Sequence, residues 1–195
     1  MAFINQALKL VIDVAFGLVT YALLLRFAMQ AMRAPFRNPL GQATMALTDW
    51  AVKPLRRIVP GVRGYDWATF VAAFIMQALW IVAILLLFGA GFELLSLPGA
   101  AYVALIALVK LVEAALWILI VAVLAFALLS WVAPDSPLSG VLNALTFPLL
   151  RPLRKVIPPI GGTLDLSPLI VIVLAQLLLI TLVPWLESGA TRLFI

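Results

Sequence analysis

The residues of this chain best suited to chemistry are two basic phrases bracketed by proline. PLRRIVP spans 54–60 and PLRKVIPP spans 152–159. Arginine and lysine in such phrases can bind phosphate groups. The sequence contains no histidine and no cysteine, which excludes Ser-His-Asp chemistry, thiolate nucleophiles and nearly all usual transition-metal sites. We therefore expect no catalytic residue, no metal site and no haem held by histidine or cysteine, and we assign no cofactor.

The composition is that of a membrane protein. Hydrophobic residues make up 66% of the 195 residues and charged residues only 11%, whereas soluble domains carry about 25% charged residues. The mean hydropathy is +1.20. A soluble protein of this size could not cover its apolar surface with so few charges, so we expect the chain to lie in a bilayer.

Four apolar stretches are long enough to cross a bilayer, which requires about 20 residues of helix. They run from about Leu8 to Met29, from Trp67 to about Phe92, within Ala100–Ala133, and from Leu166 to Leu186. The third stretch is longer than the bilayer core. We expect its first turns to lie in the interface or beyond it, with the span proper after Lys110.

The chain contains an internal repeat. Shifting the sequence by 98 positions aligns residues 38–60 with residues 136–158, and nine of the 23 aligned positions are identical. One residue is then inserted, after which Asp66 aligns with Asp165. We interpret the chain as two copies of a unit made of a span, a basic loop and a second span.

The first copy is residues 1–98, with its basic loop at 33–66, and the second is residues 99–195, with its loop at 134–165. Each copy crosses the membrane twice, so both copies have the same orientation and both loops face the same compartment. The two loops hold nine lysines and arginines, and the opposite side holds three. The positive-inside rule therefore predicts cytoplasmic loops and external termini, which in a bacterium means the inner membrane with periplasmic termini.

Each basic loop opens on a short apolar segment that begins at Pro39 or Pro137. We expect each segment to form a helix of about ten residues, ended by Pro54 or Pro152 and lying in the headgroup plane. The predicted fold is an all-α membrane protein. Its four transmembrane helices form two parallel two-helix repeats, each with a short interfacial helix in its cytoplasmic loop.

The second loop reads FPLLRPLRKVIPPIGGTLDLSPLI, which resembles the signature of the YggT family, whose proteobacterial members carry it twice. The first copy, PGVRGYDWATF, is degenerate because it lacks the second proline and the Ser-Pro pair. The resemblance implies a small integral membrane protein linked to cofactor assembly of a cytochrome, to division or nucleoid distribution, or to osmotic tolerance, without an established reaction. The repeated motif comprises Pro54, Arg56, Arg57, Pro60, Asp66, Pro152, Arg154, Lys155, Pro158, Pro159, Gly161, Gly162, Asp165, Ser167 and Pro168.

The basic residues of the loops allow two interpretations. They either set the topology alone or bind anionic lipid or an acidic partner. Two further pairs, Lys9 with Asp13 and Lys110 with Glu113, have helical spacing, and we expect them to be self-paired charges near the outer boundary. Arg26 lies near the inner end of the first span and can reach the interface.

Two glutamines lie within the apolar spans. Gln77 and Gln176 each follow the aligned aspartate by 11 residues, which places them about 16 Å into a core of about 30 Å. We expect both to lie near the axis that relates the two copies and to face the opposite half. They either hydrogen-bond across the helix interface or contact a polar molecule in a solute or cofactor pathway.

Together these features favour a non-catalytic assembly or scaffold protein for membrane complexes, cofactor assembly or division. The alternative is a component or modulator of solute or ion transport in osmotic tolerance, although the spans hold few ionisable groups for a transporter. An enzyme is the weakest interpretation, since no carboxylates pair at a common depth. The expected partners are membrane lipids, mainly anionic, and other membrane proteins. A homo-oligomer is also compatible with the sequence, and no direct nucleic-acid partner is expected.

Overall fold

The computed structural model describes residues 2–89, 96–157 and 165–194, which fold into helices without β-strands beyond one bridge between Val62 and Tyr65. The six helices are α1 (Ala2–Ala31), α2 (Pro39–Leu55), α3 (Trp67–Leu87), α4 (Leu97–Val132), α5 (Ser139–Val156) and α6 (Ser167–Phe194). Four of them, α1, α3, α4 and α6, are long and apolar enough to cross a membrane. The expectation of an all-α protein with four candidate spans is confirmed.

The outer faces of the long helices are apolar. Large side chains such as Val11, Leu18, Val121 and Ile180 are exposed on the surface of the helix bundle. A helix satisfies its own backbone hydrogen bonds, so it can present such a face to hydrocarbon without leaving polar groups unpaired. This surface is suited to lipid and not to water.

Helix α4 is a single helix of 36 residues, about 54 Å long. It begins with Ser96 as the N-cap, whose Oγ accepts the Gly99 N–H at 3.1 Å. The helix runs through Lys110 without interruption, and the expectation that its first turns lie in the interface or beyond it stays a prediction. Because its length exceeds a bilayer core of about 30 Å, α4 must tilt or extend beyond the core.

The start of α2 depends on a close packing of backbone. Asn38 is the N-cap, and its Oδ1 accepts the Gly41 N–H at 2.9 Å. Pro39 occupies the first turn, where its missing N–H costs nothing. A Cβ on Gly41 would lie only 2.5 Å from the carbonyl oxygen of Phe36, so only glycine fits there.

The two short helices are longer than expected from the sequence. Helix α2 has 17 residues and includes Pro54, and α5 has 18 residues and includes Pro148 and Pro152. The expectation that Pro54 and Pro152 end these helices was wrong. Proline already has a helical φ, and these prolines are exposed, so the carbonyls left without a donor lie on the outer side of each helix.

The long helices pack mainly in two pairs, α1 with α3 and α4 with α6, and α4 also packs on α3 and α1. Small residues on α3, Ala72 and Ala73, lie against Leu23 and Leu24 of α1. A second cluster joins the two halves of the chain and comprises Met29, Ala34, Ala122, Val141, Leu142 and Leu145. The core is therefore shared between the halves.

Candidate functional site

One arginine in each basic phrase closes its loop by an ion pair with an aspartate. Arg56 donates to Oδ2 of Asp66 from Nε at 3.1 Å and from Nη2 at 2.5 Å. Arg154 Nε donates to Oδ2 of Asp165 at 2.8 Å, and its Nη2 lies 2.8 Å from the same oxygen. These residues aligned in the sequence comparison, and each pair links the end of a short helix to the start of the next long helix.

The two aspartates are ionised structural groups. Asp66 is only 5% exposed, and Thr69 Oγ1 donates to its Oδ2 at 2.5 Å. Burial alone would raise the pKa of Asp66, but the hydrogen bonds from Arg56 and Thr69 hold it below its usual range. Burial likewise raises the pKa of Asp165, and the hydrogen bonds from Ser167 and Arg154 outweigh that effect and lower it.

The neighbouring cations have no such partner. Arg57, Arg151 and Lys155 are exposed, and none of them forms an ion pair with the described residues. The guanidinium of Arg151 lies 5.5 Å from the ring centroid of Phe147, within the range of a cation–π contact. Each phrase thus combines a cation fixed by an aspartate with a cation free to meet another molecule.

The remaining motif residues have local roles where the structure describes them. Pro60 is exposed in the first loop, Ser167 is buried at the start of α6, and Pro168 lies in the first turn of that helix, a favoured position for proline. Four residues of the repeated motif lie outside the described residues: Pro158, Pro159, Gly161 and Gly162.

Arg26 makes a buried contact that the sequence did not predict. Its Nη1 donates to Thr48 Oγ1 at 2.7 Å and to Asp49 Oδ1 at 2.8 Å, and Lys53 Nζ lies 2.8 Å from Asp49 Oδ2. The hydrogen bonds from Lys53 and Arg26 lower the pKa of Asp49. This group joins α1 to α2, so Arg26 is held by protein instead of reaching the interface alone.

A polar cavity of about 200 Å³ lies between α1, α3 and α4. Gln77 lines it from the middle of α3, ten residues from each end of that helix, or about 15 Å. The cavity therefore lies at mid-depth of a candidate span. Its lining residues are Asp13, Gly17, Thr20, Tyr21, Gln77, Trp80, Lys110, Glu113 and Ala114.

Both charge pairs expected from helical spacing are present. Lys9 Nζ lies 2.5 Å from Asp13, and Lys110 Nζ lies 2.9 Å from Glu113. Lys110 also pairs with Glu187 of α6 at 2.6 Å.

Asp13 also contacts a second helix, and the expectation that the pairs lie near the outer boundary stays a prediction. Trp80 Nε1 donates to Asp13 Oδ1 at 2.8 Å, and Trp80 lies seven residues before the end of α3 at Leu87, roughly 10 Å. Asp13, Lys110 and Glu113 thus belong to the cavity wall as well as to local pairs along their helices.

The structure does not bring the two glutamines together. Gln77 is buried and faces α4 across the cavity, whereas Gln176 is half-buried on α6 and does not line it. Helix α3 packs on α1, α2 and α4, and α6 packs on α4 and α5. No hydrogen bond joins the two amides within the described residues. Whether each glutamine has a structural or a functional role stays a prediction.

Sequence reasoning missed the cavity because it considered each charged pair within its own helix. The signal was present on α1, where Asp13, Gly17 and Tyr21 recur at intervals of four and therefore share one face. On α4, Lys110 and Ala114 have the same spacing. Only the packing of three helices shows that these polar faces meet.

A second concavity is apolar. It has a volume of about 670 Å³ and lies between α1, α2, α4 and α5, so both halves of the chain form its walls. Leu40 and Leu47 of α2 line it together with Leu138 and Leu145 of α5, the residues that align with them. Its surface suits hydrocarbon and offers no chemistry.

Comparison with known proteins gives the family. The CCB3/YggT family model matches residues 5–87 and again residues 105–186. An uncharacterized protein from the proC 3' region of Vibrio alginolyticus is 36% identical over 86% of this chain and 89% of its own length. An uncharacterized protein of Pseudomonas aeruginosa is 35% identical, over 85% of this chain and 83% of its own.

The uncharacterized protein YggT of Escherichia coli K12 is 34% identical, over 87% of this chain and 85% of its own length. No solved structure matches the chain. With two matches of the family model, relatives aligned over most of their length and four helices able to span a membrane, the chain belongs to the CCB3/YggT family of membrane proteins.

Proposed function

We propose that this protein is a non-catalytic scaffold or assembly factor of the bacterial inner membrane, which binds anionic lipid and partner proteins through its two basic loops. One observation carries the proposal. Beside each free cation, Arg57 and Lys155, lies an apolar side chain that is 78% exposed, Ile58 and Val156 respectively. The two loops therefore present the same combination of charge and apolar surface.

This combination suits the boundary of a membrane. An exposed isoleucine or valine can enter the acyl region while the adjacent cation contacts phosphate, and each cation near an anionic surface contributes about 1 kcal/mol, screened by salt. Trp50 of α2 is also exposed, and tryptophan favours this depth. Arg56 and Arg154 cannot contribute equally, because their charges are already neutralised by aspartate.

The lipid test removes the two free cations. We expect Arg57→Gln with Lys155→Gln to remove most of the preferential co-purification of phosphatidylglycerol and cardiolipin, measured by mass spectrometry of lipids bound to the purified protein. Trp50 and the helix bundle remain, so total bound lipid should change little. Unchanged enrichment of anionic lipid would contradict the lipid part of the proposal.

The scaffold role is tested in native membranes. Crosslinking followed by affinity purification should recover the same membrane proteins with the wild type and with Arg56→Lys, a variant that keeps the charge. Recovery should fall with the Arg57→Gln, Lys155→Gln protein at equal expression. Recovery of no protein above the level of an unrelated four-span membrane protein would refute the scaffold.

A second candidate function is a role in solute or ion transport. The cavity around Gln77 supports it. The charged side chains of Asp13, Lys110 and Glu113 come from two helices and meet in the wall of this one cavity. This convergence weakens the sequence argument that the interior is too poor in ionisable groups. Solute flux into liposomes containing only this protein would support transport, and the absence of flux for cations, anions and zwitterions would reject it.

A further inference from the structure

We propose that the polar cavity between α1, α3 and α4 binds one small monovalent cation, of alkali-ion or ammonium size. The proposal rests on the cavity alone and holds for a scaffold or a transporter. Its first basis is charge. Two lysines, Lys9 and Lys110, face three carboxylates, those of Asp13, Glu113 and Glu187. The group therefore carries one negative charge more than its lysines neutralise.

Each of the three carboxylates pairs with a lysine and is about a third exposed, but Glu113 and Glu187 share Lys110, so one negative charge has no cation of its own. Arg192, the other described cation at this end of α6, is exposed and forms no ion pair with these carboxylates. A proton or a small cation from solution can balance the remaining charge.

The second basis of the proposal is a set of neutral side-chain oxygen atoms around the open volume of the cavity. Thr20 is 98% buried and lines the cavity, yet its Oγ1 has no hydrogen-bond partner in the described structure. The Tyr21 hydroxyl and the Gln77 amide belong to the same wall. A small cation with its water can use these neutral oxygens as ligands and fill the volume of about 200 Å³, whereas a proton on a carboxylate would use none of them as ligands.

The charge and the ligand set favour a monovalent ion over a divalent metal. Within the described residues, no three acidic, histidine or cysteine side chains form the close group that a divalent metal needs, whereas a monovalent ion can be held mainly by neutral oxygens and water. The carboxylates are also partly engaged, since Asp13 accepts from Lys9 and Trp80 and Glu113 pairs with Lys110. What remains to be balanced is a single charge.

The experiment is thermal unfolding of the purified protein in detergent at fixed pH and ionic strength. Sodium, potassium or ammonium chloride is titrated against N-methyl-D-glucamine chloride, whose cation is too bulky for the cavity. A specific site predicts that the melting temperature rises with the logarithm of the small-cation concentration above its Kd. An identical melting temperature in all four salts would overturn the proposal, as would a shift that depends on pH alone.

A variant and its control test whether the ion binds in the cavity. Asp13→Asn brings the net charge of the group from minus one to zero, so the apparent affinity should fall at least about tenfold, which corresponds to about 1.4 kcal/mol. Asp49→Asn, at a carboxylate in α2 outside the cavity, should leave the affinity unchanged.

Gly17→Leu tests the site without changing any charge. A Cβ at Gly17 meets no atom within 4 Å, so the larger side chain should enter the cavity and abolish the cation-dependent shift. Gly189 of α6 also has open space around it but lies away from the cavity, so Gly189→Leu is the matched control and should retain the shift. A folded Gly17→Leu protein that keeps the full shift would place the ion elsewhere and refute the site.

Discussion

At the scale of single residues, the neighbouring cations Arg56 and Arg57 differ in what they contact. Arg56 points back to Asp66 and closes the loop, whereas Arg57 points outward without an ion pair among the described residues. The same division recurs at Arg154 and Lys155. The sequence showed the repeated phrase but not this division, because it depends on where the following aspartate lies in space.

We expect Arg56→Gln to lower the free energy of unfolding by about 1–3 kcal/mol, because it leaves the buried Asp66 carboxylate without its guanidinium. Arg57→Gln removes the same charge from the adjacent position and should change stability by less than about 0.5 kcal/mol. Unfolding of both variants in the same detergent measures the difference. Equal losses would show that the ion pair to Asp66 does not stabilise the loop.

The two aspartates that form ion pairs with arginine predict a loss of stability in acid. The pKa values of Asp66 and Asp165 are lowered from the ordinary value of 3.8, so ionisation of these groups stabilises the folded state above that pH. This contribution is lost as the pH falls through 3.8 and then through the lower folded values. The melting temperature should therefore drop steeply below about pH 4.

The control is the double variant Asp66→Asn, Asp165→Asn. It should be less stable than the wild type at neutral pH and should lose less on acidification, since the two titrating groups are gone. A double variant with the same acid dependence as the wild type would assign the effect to other carboxylates, such as Asp49.

At the scale of helices, the sequence predicted the presence of the four spans well because each is a long run of apolar residues, but it placed their ends less well, since α1 begins at Ala2 and α6 runs to Phe194. It predicted the short helices less well. It predicts helix ends at Pro54 and Pro152, although a proline near the end of a helix loses one exposed hydrogen bond and does not force the chain to turn. The contact of Arg26 with Asp49 was missed because it joins residues 23 positions apart on different helices.

The N-terminus of α2 supplies a test at this scale. Gly41→Ala should destabilise the protein by about 1–3 kcal/mol, because the added Cβ would lie 2.5 Å from the Phe36 carbonyl oxygen and force the backbone apart. Gly140→Ala in the first turn of α5 is the matched control. Its Cβ would meet Pro35 at an ordinary 3.7 Å, so the change should be neutral or slightly stabilising. Equal effects of the two changes would contradict the close packing at Gly41.

At the scale of the whole molecule, the cavity and the orientation show what sequence alone could and could not supply. The polar residues of the cavity were visible, but their meeting depends on how α1, α3 and α4 pack, which a single sequence does not reveal. The reverse holds for the orientation of the protein in the membrane. It is predicted from the distribution of charge in the sequence, and the helix packing does not test it.

Cysteine labelling tests the orientation, and the chain contains no native cysteine to interfere. Gln42 of α2 and Asn143 of α5 are exposed, and so is Ser188 of α6. In intact cells, a membrane-impermeant thiol reagent should label Ser188→Cys and spare Gln42→Cys and Asn143→Cys until the membrane is permeabilised. Labelling of either α2 or α5 in intact cells would reverse the proposed topology.

The core shared between the halves also has a consequence for biosynthesis. Met29 is packed against Val141, which follows it in the chain by 112 positions. At a translation rate of about 5–20 residues per second, the first half waits roughly 6–22 s before the ribosome has made the residues that complete its core. During that interval a newly inserted first half exposes an unfilled apolar surface, and this is when a chaperone or insertase would have its greatest effect on the yield of folded protein.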